Sequence, residues 1–367
     1  MKEYSQEVQS IRFKNGDIYE GKFAGFQPCG PGKMTYNDGR VSQVIWENEK
    51  IVYEGEMNNN GKPHGQGKWK YSGTCYYEGE WLNGKRHGKG EYNCWDDRES
   101  YKGEWKDDMK HGTGTYKWIG NDWHVGESYE GEWKEDEQHG KGICMYSDGE
   151  SYKGQWKYGY RDGGGTLKSP NGDSYEGEWK HGYRSGRGSY RWSDGGTYEG
   201  QWTDDKKHGT GTRKWPDGDS YEGEWEKDKK NGKGTFTWSS GKSYEGRWKD
   251  DNQHGRGTFK WPNGDSHEGG WKENKMHGKG TYKFGNGNVY TGVFRADEKH
   301  GKGVMTYANK DVYDGKWKND QKDGVGTMTY ANKDVYNGEW VQNHKDGHGV
   351  MTFHNGDTYT VTASDGP

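Results

Sequence analysis

A Tyr-x-Gly-x-Trp motif, or a recognisable variant of it, returns along this chain at a fixed step, and each copy is followed about ten residues later by a polar residue and Gly-x-Gly. From Tyr129 onward its first position falls at Tyr152, Tyr175, Tyr198, Tyr221, Tyr244, His267, Tyr290, Tyr313, Tyr336 and Tyr359, 23 residues apart throughout. A globular core gives no reason for such a period, whereas a stack of similar supersecondary units requires it. Earlier starts at Tyr19, Tyr53, Tyr77 and Tyr101 leave gaps of 34, 24, 24 and 28 residues. A degenerate unit, Val41 to Trp46, lies in the first gap, and extra residues lengthen the connection from Trp118 to Gly126. The expected organisation is a lead-in over 1–18, irregular repeats over 19–128, regular repeats over 129–358 and an incomplete repeat over 359–367, about fifteen units in one array.

Hydrophobic residues make up only 26% of the chain, with a mean hydropathy of -1.50, a balance that would ordinarily leave a chain unfolded. The 20 Trp and 28 Tyr reverse that expectation, because each large ring buries roughly 150–250 Å². Net charge is -4, with acids and bases mixed at short range, so nucleic acid is not an expected partner. The start MKEYSQEVQS has no apolar segment of the secretory kind, and a cytoplasmic protein is expected. Cys29, Cys75, Cys94 and Cys144 occupy different slots of the unit, which points to neither a zinc site nor a disulfide framework.

Within one copy, Tyr221, Gly223 and Trp225 share one face of a strand by the period of two, and Glu222 and Glu224 share the other. Gly232, Gly234, Phe236 and Trp238 repeat the pattern on a second strand, so each copy reads as a β-hairpin. The glycines leave room for a ring to lie against the backbone. Pro216 to Gly218, Ser239 to Gly241 and Pro262 to Gly264 supply the turns between copies. The fold class expected is all-β, an elongated array of stacked antiparallel β-hairpins; at two strands per copy it would form a rod on the order of 150 Å long. The aromatic core is expected from Tyr175, Trp179, Tyr198, Trp202, Tyr221, Trp225, Phe236, Trp238, Tyr244 and Trp248.

These motifs resemble the MORN (membrane occupation and recognition nexus) repeat, whose unit reads approximately YxGxWxxGxxHGxGxxxxxDGxxY, over nearly everything from Tyr19 to Tyr359. The resemblance implies a twisted antiparallel array with an aromatic-lined groove. It also implies non-enzymatic roles such as cytoskeletal and ciliary scaffolds, or accessory segments of phosphoinositide kinases, junctophilins and a histone methyltransferase.

Histidines before Gly-x-Gly (His87, His111, His139, His208, His254, His277 and His300, with His64 earlier) would suit a metal or acid-base array. Because Asn231, Asp162 or Ser185 fills the same slot elsewhere, a turn-capping side-chain hydrogen bond is the expectation adopted. Gly241-Lys242-Ser243 lacks the glycine five residues earlier that a phosphate loop needs, and carboxylates such as Glu130 and Glu132 recur as solvent-facing positions. No enzyme activity, cofactor or metal is expected. Lys134, Lys157, Lys180, Arg184, Arg187, Lys230 and Lys233 are expected to align into a basic stripe for an anionic partner, with acids interleaved. Phe353, Tyr359 and Val361 mark a candidate self-association edge giving a homodimer. The function expected is a scaffold for protein partners in a cytoskeletal or axonemal assembly. The alternatives are a peripheral module for acidic phospholipid and a regulatory subunit docking on an enzyme.

Overall fold

The structure is a computed structural model and describes residues 8–71, 73–118 and 126–363. The expected insertion between Trp118 and Gly126 lies almost wholly outside the described residues, as do the chain's first seven and last four. Among the described residues there are thirty-one strands, β1 (Gln9–Arg12) to β31 (Thr358–Ala363), and no helix. The chain divides into two compact units, Met1–Tyr183 and Arg184–Pro367. The division falls within the regular repeats rather than at the change of spacing near residue 128. Each unit is all-β, with strands that are neighbours in sequence pairing antiparallel, as expected from the repeat.

One hairpin of the second unit shows why the sequence folds this way. Strands β21 (Ser243–Lys249) and β22 (Asn252–Lys260) are joined by Asp250 and Asp251, whose φ angles of 47° and 67° are both positive. A two-residue hairpin turn of that geometry matches the right-handed twist of its strands. Between copies the chain closes a five-residue turn, with the Trp238 amide donating to Lys242 O and the Gly241 amide to Trp238 O, both at 2.9 Å. Hairpin is also tied to hairpin: the Lys230 amide donates to Asp251 Oδ1 at 2.9 Å, and the Ser239 amide to Asp219 Oδ1 at 2.8 Å.

The core sits on one face of each strand. The Tyr221 ring is fully buried, lies over Gly223 and Gly234, and donates its hydroxyl to Glu224 O at 3.0 Å. Trp225 of the same hairpin meets it edge-on at 5.0 Å, and Trp248 of the next hairpin meets its other side at 5.5 Å. Each such ring pair contributes about 0.5–1.5 kcal/mol beyond the area it buries. The Trp248 indole N–H in turn donates to Gly234 O at 3.1 Å, so ring packing and backbone bonding bind the same two hairpins. Nine of the ten expected core rings are buried, from Tyr175 and Trp179 in the first unit to Tyr244 and Trp248 in the second; Trp238 is half-buried beside Phe236 and Phe259.

The paired glycines are steric requirements. A Cβ on Gly234 would stand 2.3 Å from the Tyr221 hydroxyl oxygen, whereas one on Gly164, the middle glycine of Gly163-Gly164-Gly165, would meet nothing within 4 Å. Gly234→Ala is therefore expected to destabilise by about 1–3 kcal/mol or more. Gly164→Ala should be neutral or stabilising by about 0.5 kcal/mol. Denaturant unfolding with amide exchange on the two flanking strands checks both; equal effects would mean that the ring does not rest on the glycine.

Candidate functional site

With the slot tyrosines and tryptophans in the core, the opposite face of the strands presents charged side chains. In the first unit it forms a groove of about 1180 Å³ whose walls include Glu78, Lys89, Lys102, Glu130, Lys141 and Thr166 over a floor of glycine backbone. In the second unit, recesses of about 670 Å³ around Glu199 and Thr210 and about 770 Å³ around Lys233 and Arg247 lie on the equivalent face. The groove is thus lined by charged and hydroxyl side chains. The aromatic lining that the resemblance implied is found on the other face, where Tyr71, Tyr92, Tyr101, Trp105 and Tyr116, with Arg86 and Lys110 beside them, line a smaller recess of about 350 Å³.

Next to this groove the ladder shifts register once per hairpin, as between Gly131 and Glu132 where β11 (Ser128–Lys134) meets β12 (Glu137–Met145). Gly140 has a φ of 53° at that shift. Here the histidine was expected to cap. Instead, the Lys141 amide donates to Glu132 Oε1 at 2.9 Å, and the same cap recurs as Lys89 to Glu80 at 3.0 Å and Lys233 to Glu224 at 2.9 Å. A glutamine does the same work in the pairs Gly164 to Gln155 at 3.0 Å and Thr210 to Gln201 at 2.8 Å. The Nδ1 atoms of His64, His87 and His139 are buried without a hydrogen-bond partner. For His111, His208, His254, His277 and His300, too, no side-chain hydrogen bond caps the turn among the described residues. The histidine contributes its main chain: His139 O lies 3.1 Å from the Tyr129 hydroxyl. A short polar residue in the slot does cap, as Asn231 Oδ1 accepts from the Gly232 amide at 3.0 Å and Asp346 Oδ1 from Gly347 at 2.7 Å.

The seven cations expected as one stripe are divided between two faces. Arg184 and Lys230 lie on the aromatic side, the Arg184 guanidinium 4.5 Å from the Trp202 ring centre and Lys230 Nζ 4.5 Å from that of Trp248. Burial pushes the Lys230 ammonium below the usual lysine range, opposed by Asp251. Lys134, Lys157, Lys180, Arg187 and Lys233 are exposed on the groove side. The reason is strand alternation: the residue before the polar-Gly slot pairs with the tryptophan of its own hairpin, as Lys230 does with Trp225, and shares its face. Of the candidate edge, Phe353 is 39% and Tyr359 63% exposed, while Tyr336 one copy earlier is fully buried. Val361 pairs with Gly349 in the backbone ladder, and its side chain lies outside the described atoms.

Three further features depart from the expected pattern. Cys75 and Cys94 form a disulfide, a correction to the reading of unpaired thiols; Cys29 and Cys144 are free. Their separation of 19 is close to the 20-residue step that joins successive inter-hairpin turns, as between Asp219 and Ser239, and that step was the available signal. Arg213 fills the ring slot held by Phe236 one copy later, with its guanidinium 3.3 Å from the centre of the Trp192 ring. His267 replaces the core tyrosine, fully buried, with neither ring nitrogen hydrogen-bonded.

The fold and this presented face define a repeat protein built of stacked hairpins. The MORN repeat family model matches fourteen segments: 19–39, 53–75, 77–94, 101–122 and an unbroken series of ten from 129–151 to 336–358. The chain belongs to the MORN repeat family, a non-catalytic repeat class, with the start at Tyr359 left outside the matched repeats. Comparison with curated proteins finds no match. Among solved structures, the chain is similar to the SAS-4 (dCPAP) TCP domain of Drosophila melanogaster in complex with a proline-rich motif of Ana2 (13% identity, 42% of this chain and 85% of that one, TM-score 0.28). It is also similar to the TCP10 domain of Danio rerio CPAP in complex with a STIL peptide (9% identity, 61% and 99%, TM-score 0.32). Likenesses this faint carry no functional inference. No helix among the described residues is long and apolar enough to cross a membrane.

Burial holds His267 down at about 4 against its ordinary 6.5, so it is neutral when folded and charged when unfolded below pH 6.5. Its contribution to stability is complete above pH 6.5 and is lost as pH falls toward 4, by on the order of 3 kcal/mol. His267→Tyr, which places a hydroxyl toward Gly270 O as Tyr244 does toward Arg247 O, is expected to raise Tm, with a gain that widens from pH 7 to pH 4.5. A gain that does not change with pH would contradict the assignment.

Proposed function

We infer that this protein is a non-catalytic scaffold that gathers protein partners in a cytoskeletal or ciliary assembly. The observation that supports it most directly is the division of labour between faces. Each hairpin spends one face on the Tyr–Gly–Trp core and presents the other in a repeated register, as in the exposed Glu130, Glu176 and Glu222. A face repeated about every two strands provides length and many weak sites, and joint occupation of such sites raises avidity without new contacts. Acidic phospholipid has less support as the principal partner, because Arg184 and Lys230 turn onto the aromatic face and the seven cations do not meet one plane. Self-association through Phe353 and Tyr359 belongs to the same reading, since an exposed ring in a slot that is otherwise buried favours a covering partner.

Two measurements test this. The endogenously tagged protein, after extraction of its native cell with non-ionic detergent, is expected to remain on a discrete insoluble structure; release with the membrane fraction would overturn the scaffold. Light scattering of the full chain is expected to give at least a dimer, and truncation before Asn332 a monomer. An unchanged mass would remove the edge from the reading.

A further inference from the structure

The register-shift caps are absent from one run of copies. The residue before the tryptophan position, which supplies the capping oxygen as Glu80, Glu104, Glu132 and Glu224, becomes Arg247, Gly270, Val293 and Lys316 in four consecutive hairpins of the second unit. The amides nine residues on, those of Arg256, Lys279, Lys302 and Val325, receive no side-chain oxygen among the described residues. In the capped copies the corresponding amide donates to that oxygen at 2.8–3.1 Å. Charge changes in the same place. Capped copies alternate acid and base along this row, as Glu132 with Lys141, whereas the uncapped run carries Arg247, Arg256, Lys279, Lys302 and Lys316, all exposed. None of the five is in a salt bridge among the described residues. Lys302 and Lys316 stand directly opposite one another in the ladder, which raises local potential and disfavours the empty state.

We propose that this row, from β21 to β28 (Gln321–Thr329), is an anion-accepting track that takes the side-chain carboxylates of an extended acidic segment of a protein partner. Each carboxylate takes the place that Glu132 or Glu224 fills elsewhere, accepting from the open backbone amide while the neighbouring lysine or arginine neutralises it. In the capped copies a glutamate carboxylate already occupies this place against the same amide. Successive sites are two strands apart, about 9.5 Å. An extended segment in the threefold polyproline conformation advances about 3.1 Å per residue and turns every third side chain to the same side. The segment recognised therefore carries Asp or Glu at every third residue. This rests on the protein-scaffold reading and names the chemistry of one partner.

The test uses the full chain and a fluorescent peptide of repeated Glu-Pro-Pro triplets, followed by anisotropy at low and physiological salt. Saturable binding that weakens with salt is expected, with none for the Gln-Pro-Pro peptide. Val293→Gln should close the Lys302 amide as Gln155 closes that of Gly164, without altering charge, and weaken binding about tenfold. Val293→Ala leaves the amide open and should bind as the wild type does. Because glutamine is the native solution in two other copies, an unchanged melting temperature is expected for Val293→Gln. Absence of peptide binding, equal affinity of the Gln and wild-type proteins, or binding only to vesicles containing phosphatidylinositol bisphosphate would each overturn the track. Any of these results, with detergent-resistant retention in the cell intact, would leave the scaffold standing.

Discussion

Everything in this protein depends on a tyrosine ring lying flat against two glycines. The ring excludes any Cβ at both positions, closes on its own hairpin through its hydroxyl, and offers its remaining side to the tryptophan of the hairpin that follows. One residue thereby joins the fold of a unit to the stacking of units. The arrangement explains how a chain with so little aliphatic content stays folded: the core is only one ring deep, yet the slot tyrosines such as Tyr221 and Tyr244 are enclosed by backbone and by other rings. It also explains why charged side chains can populate the other face freely, since packing makes no demand on them.

That freedom is where function enters. The register shift beside each paired glycine leaves an amide that something must satisfy. Most copies satisfy it internally with Glu or Gln, as at Glu132 and Gln155, so their surface is neutralised and self-contained. The run from Arg247 to Lys316 loses the cap at this position while keeping the same hairpin pairing, with His267 and Phe294 standing in the tyrosine and tryptophan slots of its core. A repeat fold tolerates such local change because the core of each unit does not rely on the residue before its tryptophan. Partner specificity can therefore be written along one face without cost to the architecture.

Much of this was legible in the sequence. The 23-residue step, the two-residue alternation of Tyr221, Gly223 and Trp225, and the turn chemistry of Pro262-Asn263-Gly264 led to stacked antiparallel hairpins with the aromatic residues inside, which is the observed order. The histidine slot was harder, because its residue types suggested a side-chain cap, while the actual acceptor comes from the neighbouring strand seven residues earlier, as Glu132 does for the turn at His139. Alternation along the strand was also available for Arg184 and Lys230, which stand two residues before Gly186 and Gly232 and so share the aromatic face, whereas the expected stripe grouped them with the groove-side cations. The Cys75–Cys94 bond depended on which inter-hairpin turns stack.

The sequence by itself determined the repeating unit, its strand content and which residues are buried, because burial in a strand follows from local alternation and the glycines sit at fixed offsets from the rings. Only the tertiary structure decided what fills the polar side: which amide each glutamate caps, which cations rest on tryptophan, and where the caps run out. Those outcomes are set by register between strands, and register between strands is a relation among residues that no single strand's pattern contains.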